Sequence, residues 1–494
     1  MKSVNKIKVL IVILFCSITL IYCQDHSSKK EKSTTKETTF TKQALVNDFK
    51  VFRESLEEMH PGLYMYNSKE EMNTIFENAS KSILENMTGH EFSKILMRVV
   101  SKIGDGHLRV LPPKEELKEA NLFPFSVTYR DNTFYIKEDY SESPIKDFVG
   151  AKIHSINGHS MQDFMQEYSS LASSDGRNET YKHRSLSSTN NFSNAFSSVY
   201  GKQSIYELEY IPMGKEKSKT IALTLQTKAR QESIVANRYS KTKDQESPLD
   251  FYISNDKKYA YLKIASFDIR DLKPTGIRIW IYLSDAFKQI NDNNVNNLIL
   301  DLRYNGGGED VLGKLLFSYF TSKEFMYYKS LTINNNEFKS IKYTDNPDLK
   351  MPKDGIKLNN YGTYDIIDHS NVGLQKPEKP FFEGKTYVLI NGKCFSSTSE
   401  FLSMLHFHTD AVFIGEESGG GYYGNNSGFT PSINLPNTKI ITAIPMFAYR
   451  MAVERYTHKD RGLIPDYEIQ PTIEDELNGN DVEFNLAREL INKK

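Results

Sequence analysis

The feature that most constrains this chain is a repeated alternation of short apolar runs with amphipathic stretches in its second half. YAYLKIA, NLILDLR, TYVLIN and AVFIG read as strands, and the stretches around Ile277 to Ile290, VLGKLLFSYF and EFLSMLHF read as the helices between them. Strands separated by helices need crossover connections. The expected product is therefore a largely parallel sheet, buried on both faces by its own helices. Residues 251–475 are assigned to this α/β domain, and polar Asn335 to Pro380 is expected to be a long insertion or loop near its working face. A C-terminal helix is expected over 476–494.

Upstream, the periodicity changes. Leu45, Phe49, Phe52, Leu56 and Met59, then Ile75, Ala79 and Ile83, then Phe92, Ile95, Leu96 and Val99 recur at helical spacing, which gives a helical region over 40–112. His60-Pro61-Gly62 interrupts it, and it ends in the glycine turn of IGDGHLRV. Residues 120–227 read as a β-rich module with strands FSVTYR, TFYIKE, AKIHSING and IALTLQ and a polar helical insertion around Ser169 to Tyr200. Within it, VGAKIHSINGHSMQDFMQEY resembles the strand, Asn-Gly turn and helix of a PDZ domain, whose carboxylate-binding groove suits a protein terminus. Residues 228–250 are charged, poor in apolar side chains and expected to be a linker.

Charge and cysteine content narrow the function classes. Lys+Arg 62 against Asp+Glu 63 leaves no basic field for nucleic acid, and no local patch replaces one. The amino terminus places Lys2, Lys6 and Lys8 before an apolar run, Val9 to Tyr22, with the charge and length of an export signal over residues 1–23. A polar tether over 24–39 follows Cys23. This arrangement resembles a bacterial lipoprotein, in which Cys23 would be lipidated and would hold the protein at a membrane or in the periplasm. Tyr22 departs from the small residue usual before such a cysteine, so simple cleavage and an uncleaved anchor stay open. With Cys16, Cys23 and Cys394 as the only cysteines, no disulfide framework or zinc cluster is expected. His406 and His408, two apart on a helix, diverge to different faces and make a poor metal pair.

Three segments carry candidate chemistry. In YVLINGKCFSSTSE a strand turns into a helix at a serine, and Ser397 is the candidate nucleophile, with helix amides behind it for an oxyanion. The same Ser397 with Glu400 also fits a capping box that merely starts a helix. Asn305-Gly306-Gly307-Gly308 follows a buried strand and permits positive φ and exposed amides, although its spacing fits no nucleotide-binding loop. His107, mounted on an Asp-Gly-His turn, is a reachable imidazole. Asp460, with Glu454 as its competitor, is the carboxylate that would orient it. Cys394 is the alternative nucleophile.

Four segments in this order, GDGH, LDLRYNGGG, NGKCFSSTSEFL with GEESGGG, and RGLIPD, resemble the serine peptidases that include the tail-specific (C-terminal processing) proteases and the tricorn core protease. The resemblance implies a crotonase-like (ClpP/crotonase-type) catalytic core and a peptide or unfolded protein as substrate, without a cofactor or metal. It places the nucleophile on Ser397 and oxyanion amides on Gly306 or Gly307 and on Thr398. Tail-specific proteases carry a catalytic lysine in a Gly-Lys-Gly turn, whereas this chain reads GEESGGGYYGNN there. A tricorn-like branch with His107 as base is therefore expected. The alternative is a catalytically inactive protein that binds peptide or apolar ligands on the same fold.

Overall fold

The computed structural model describes residues 38–113, 121–203, 205–243, 247–347 and 354–493. Cys23, the export segment and most of the tether lie outside them. No helix among the described residues is long and apolar enough to cross a membrane.

Three helices open the described chain: α1 (Lys42–Met59), α2 (Lys69–Lys81) and α3 (Gly89–Ile103). Their starts follow from local chemistry. Ser68 with Glu71, and Thr88 with Glu91, form reciprocal capping boxes that satisfy the first free amides of α2 and α3. Gly104, at φ +76°, stops α3 in the left-handed region and directs the chain into Asp105-Gly106-His107. The apolar stripe of these helices packs into one cluster with Ile433, Leu435, Ile440, Ile444 and Met446 from far down the chain. The helical region thus shares its core with the α/β part, and the short strand Arg109–Leu111 after His107 pairs antiparallel with Ile441–Ala443.

The β-rich module holds the antiparallel strands Phe125–Arg130, Thr133–Asp139, Lys152–Ile156, Ile205–Ile211 and Lys219–Thr224. Helices α4 (Met161–Leu171), α5 (Thr180–Ser185) and α6 (Thr189–Tyr200) form the insertion. The segment expected as a linker instead begins with a helix, α7 (Lys228–Lys243). Its Gln231 is buried and donates to the Phe123 carbonyl at 3.0 Å, so the module holds what composition alone marked as free chain.

The α/β part is mixed, with a central six-stranded sheet. In sheet order its strands are β1 (Leu249–Ile253), β2 (Ala260–Ile264), β3 (Asn297–Asp301), β4 (Lys385–Ile390), β5 (Val412–Gly415) and β6 (Tyr467–Glu468). All neighbours from β2 to β6 run parallel, and only β1 is antiparallel. Alternate residues serve opposite faces, as a two-residue period requires. Leu298, Leu300, Val388 and Ile390 join the main core with α8 (Ile279–Asp292), α9 (Asp310–Ser318) and α10 (Ser397–His408). Ile299, Tyr387, Leu389 and Ile414 face Ala487 and Ile491 of α11 (Val482–Asn492). The segment 335–380 is not wholly a loop, because it contributes Ile356–Leu358 and Tyr364–Ile366 to a second, antiparallel sheet.

Charge pins α11 to the sheet. Arg303, 14% exposed, donates to Asp301 (2.6 and 3.0 Å), Asp481 (2.7 and 2.8 Å) and Glu483 (3.2 Å). Removing one partner from such a site leaves unpaired charge near the core, which costs roughly 3–5 kcal/mol when burial is complete. Arg303→Ala is therefore expected to lower unfolding stability by about 3 kcal/mol, measured by urea denaturation. A change below the scatter of a surface substitution would show that the clamp contributes little.

Candidate active site

The carboxyl ends of parallel strands are where such sheets present their loops to a ligand. Here the loops after β3 and β4 are fastened together. Asn391 Oδ1 accepts the Tyr304 amide at 3.1 Å, Asn305 O accepts the Phe395 amide at 3.2 Å, and Cys394 Sγ donates to Leu302 O at 3.1 Å. Cys394 is fully buried and burial pushes its thiol up to about 12, so it serves as a structural thiol and not as a nucleophile.

Ser396, the residue just before α10, adopts φ +55°, ψ −129°, a conformation rare for any residue with a Cβ. The strained turn lifts its hydroxyl out of the strand-to-helix junction, and Ser396 Oγ lies 3.2 Å from His107 Nε2. Ser397, the serine expected from the sequence, does not meet His107. It is the first helical residue, 1% exposed, and its hydroxyl is buried without a hydrogen-bond partner. Two adjacent serines could each be read as the turn residue, and only the backbone geometry separates them.

The shift by one residue moves the amides too. Thr398 N–H donates to Phe395 O at 3.2 Å and is not available to an oxyanion. The amide that follows Ser396 is that of Ser397, at the N-terminus of the twelve-residue α10, and it has no acceptor among the described residues. Gly307 has its own amide committed to Asn305 Oδ1 at 3.0 Å. A Cβ there would lie 2.7 Å from Phe395 O and 2.8 Å from Ser396 Cβ, so only glycine permits this approach. Gly306 is exposed, with open space where a Cβ would stand, and its amide likewise has no acceptor among the described residues.

His107 is held by its neighbours' backbone and rings. Its amide donates to Asp105 Oδ1 at 2.8 Å, and its ring packs on Phe395 with centroids 4.6 Å apart. Phe395 is stacked on its other side by Tyr181 at 4.4 Å. Burial pushes the imidazole down to about 4, with Asp105 opposing and Arg109 adding to the shift. Its Nδ1 is buried without a hydrogen-bond partner, and Asp105 Oδ1 stands 3.9 Å away, beyond hydrogen-bond length.

Asp460, expected to orient the imidazole, instead pairs with the exposed Arg177 at 3.1 Å. Glu454, its competitor, is 64% exposed and pairs with Arg455 at 3.3 Å. The carboxylate against His107 is Asp105 from the same turn, 2% exposed. It also receives His60 Nε2 at 2.8 Å and Asn426 Nδ2 at 2.9 Å. Gly62 N–H donates to His60 Nδ1 at 3.1 Å, which puts the ring proton of neutral His60 on Nε2, where it is donated to Asp105. Burial opposes charge on Asp105, but these bonds outweigh it and hold the carboxyl below its usual range. Asp175, from the insertion, accepts the amides of Gly106 at 2.8 Å and Gly421 at 3.0 Å. Burial, and then the Asp105 charge, push it up to about 7. Asp105, His107 and Asp175 could together face an ion, but the carboxylate oxygens already accept hydrogen bonds from protein donors. His60 was legible only as a helix break, and nothing local in the sequence marked Asp175, Tyr181 or Phe395.

Residues 258–474 match Peptidase family S41. The fold resembles three structures: mature CPAF (16% identity, TM-score 0.61, covering 92% of this chain and 98% of that one), mature CPAF complexed with lactacystin (15%, 0.63, 92% and 99%) and a serine-to-alanine mutant of CPAF (15%, 0.64, 91% and 98%). At these identities the likeness concerns the fold. No curated protein matches the chain in sequence. Residues 258–474 thus carry a domain similar to peptidase family S41, and the chain is a serine-type peptidase.

A buried acid stands in the first turn of the serine helix, α10. Glu400, 2% exposed, accepts Asn425 Nδ2 at 2.8 Å and lies 2.8 Å from Tyr328 Oη, which is also 2.8 Å from Asp310 Oδ2. A phenol carries one proton and can donate fully to only one carboxylate. His369, 3.3 Å from Asp310, favours charge there. The missing proton is therefore on Glu400, which burial and the Asp310 charge push up to about 7. The folded state binds more protons than the unfolded chain between about 4.5 and 7, so this stabilisation is present below 4.5 and lost as pH rises through 7. Glu400→Gln keeps both hydrogen bonds without ionising. Its melting temperature is expected to fall less than the wild type's between pH 5 and pH 7.5, and equal slopes would refute the assignment.

Proposed function

We propose that this protein hydrolyses peptide bonds with Ser396 as nucleophile and His107 as general base. The observation that carries the reading is the 3.2 Å approach of His107 Nε2 to a serine hydroxyl held in a strained turn at a helix start. The base needs an unprotonated Nε2, so the ring proton belongs on Nδ1, the nitrogen that faces Asp105. Ser396 Oγ attacks the carbonyl carbon as its proton passes to Nε2. The imidazolium so formed is stabilised by the Asp105 carboxylate, and it returns the proton to the leaving amine. Water then repeats the sequence on the acyl-enzyme. Negative charge on the carbonyl oxygen is met by the Ser397 amide, backed by the dipole of α10, and by Gly306.

Two features of the sequence add the setting. Lys2, Lys6 and Lys8 before the apolar run to Tyr22 support export, with Cys23 as the lipid attachment point, and the PDZ-like segment of the module supports a protein or peptide substrate.

Ser396→Ala is expected to lower kcat on a fluorogenic peptide by about four orders of magnitude or more and to abolish fluorophosphonate labelling. Ser397→Ala, which removes an unpartnered buried hydroxyl and keeps the amide, is expected to stay within a few-fold of wild type. The reverse outcome would return the nucleophile to Ser397.

Because His107 is neutral in the folded protein down to about pH 4, the base form persists through mild acid. The acid limb of the kcat/KM profile is expected well below 6.5, near 4. A limb at 6.5 or above would mean that the imidazole is not desolvated as described.

A further inference from the structure

Apart from its approach to Ser396, the imidazole of His107 makes no hydrogen bond that would set its plane. Its Nδ1 is buried without a partner and Asp105 Oδ1 stands 3.9 Å away, so the bond by which a carboxylate ordinarily orients a catalytic histidine is not made. The bond from the His107 amide to Asp105 places the residue but does not restrain rotation of the ring. What meets the ring is Phe395, at 4.6 Å between centroids and 30° between planes. Tyr181 lies against the other face of Phe395, at 4.4 Å and 25°.

Each plate is fixed independently of the imidazole. Phe395 is 5% exposed and directly precedes Ser396. Its amide donates to Asn305 O and its carbonyl accepts the Thr398 N–H, each at 3.2 Å. One residue therefore ties together the glycine loop, the serine turn and the face of the base. A Cβ on Gly106 would lie 2.7 Å from Phe395 Cζ, so the glycine beside His107 is what lets this ring reach the imidazole. Tyr181 is set by the insertion. Its amide donates to Asn178 Oδ1 at 2.8 Å, the fully buried Asn178 donates to Ser418 O at 2.7 Å, and Thr180 Oγ1 donates to Glu417 O at 2.9 Å.

We infer that Phe395 and Tyr181 are positioning residues for the general base. The aromatic stack holds the His107 ring at the angle that aims Nε2 at Ser396 Oγ, the part that a carboxylate's hydrogen bond ordinarily plays. Because Phe395 and Ser396 are consecutive, a shift of the serine turn carries the plate with it, and the hydroxyl and its acceptor keep their register. Tyr181 belongs to α5, so the insertion of the β-rich module supplies the back of the stack. The inference rests on the peptidase reading for what the ring does, and not for how the ring is held.

The test uses the full chain with four single substitutions. Phe395→Leu removes the plate, Tyr181→Leu removes its backing and Tyr181→Phe keeps the ring. Phe287→Leu is the control for packing loss, since it removes a core ring stacked on Tyr319 and not on His107. On a fluorogenic peptide, Phe395→Leu is expected to lower kcat about a hundredfold and Tyr181→Leu about tenfold, with KM within about threefold. Tyr181→Phe and the control should keep kcat within about threefold of wild type. The second readout needs no turnover: the His107 titration, followed by NMR on protein labelled with ¹³C-histidine and assigned by His107→Ala. Asp105, Arg109 and Asp175 remain in every variant, so a moved midpoint reports water reaching the ring. The midpoint is expected near 4 in the wild type and about one pH unit or more higher in Phe395→Leu. An unmoved midpoint in Phe395→Leu, kcat within threefold in both leucine variants, or a Tyr181→Phe as impaired as Tyr181→Leu would overturn the inference. If Phe395→Leu does not fold, the contrast between the two Tyr181 variants decides. A wild type that cleaves no peptide while Phe395→Leu moves the midpoint loses the peptidase mechanism and keeps the stack as the holder of the ring.

Discussion

The buried carboxylate of Asp105 is the interaction on which the site depends. It joins the end of α1 through His60, the turn after α3 through the His107 amide, and the α/β part through Asn426. Ser173 of the insertion also donates to its main-chain oxygen. A carboxylate at 2% exposure is tolerated only because several donors surround it, and the loss of any one leaves charge in a low-dielectric interior. The imidazole is therefore located by a hub that crosses four segments of the chain and not by its own loop.

The serine side is built differently. Main-chain bonds and one buried asparagine zip the loops after β3 and β4 together, and Gly307 lets the first loop approach the serine closely enough to matter. The strain of Ser396 is stored where α10 begins, with the sheet behind it and the core residues Phe401, Leu402 and Leu405 fixing the helix. The two halves of the site meet only because the helical amino-terminal region shares a core with residues 433–446, so that the imidazole and the hydroxyl approach across 289 positions of sequence.

Much of the architecture was legible because period and burial are local properties of a sequence. NLILD and TYVLIN could only be strands covered on two faces, and the capping boxes and Gly104 set helix ends where the pattern placed them. The segment 228–250 went the other way. Its composition gave no reason for order, and α7 exists because the module offers buried partners such as the Phe123 carbonyl to Gln231.

By itself the sequence determined the α/β core, the glycine loop, the strand-to-helix turn bearing a serine and the Asp-Gly-His turn, because each is written in a few consecutive residues. Tertiary structure alone decided which of two adjacent serines faces the imidazole, since that choice is a backbone dihedral with no signature in residue type. It also decided that Asp105 and not Asp460 stands against His107. Carboxylates look alike along a chain, and only burial and the donors around each one separate an ion paired at the surface from one fixed in the core.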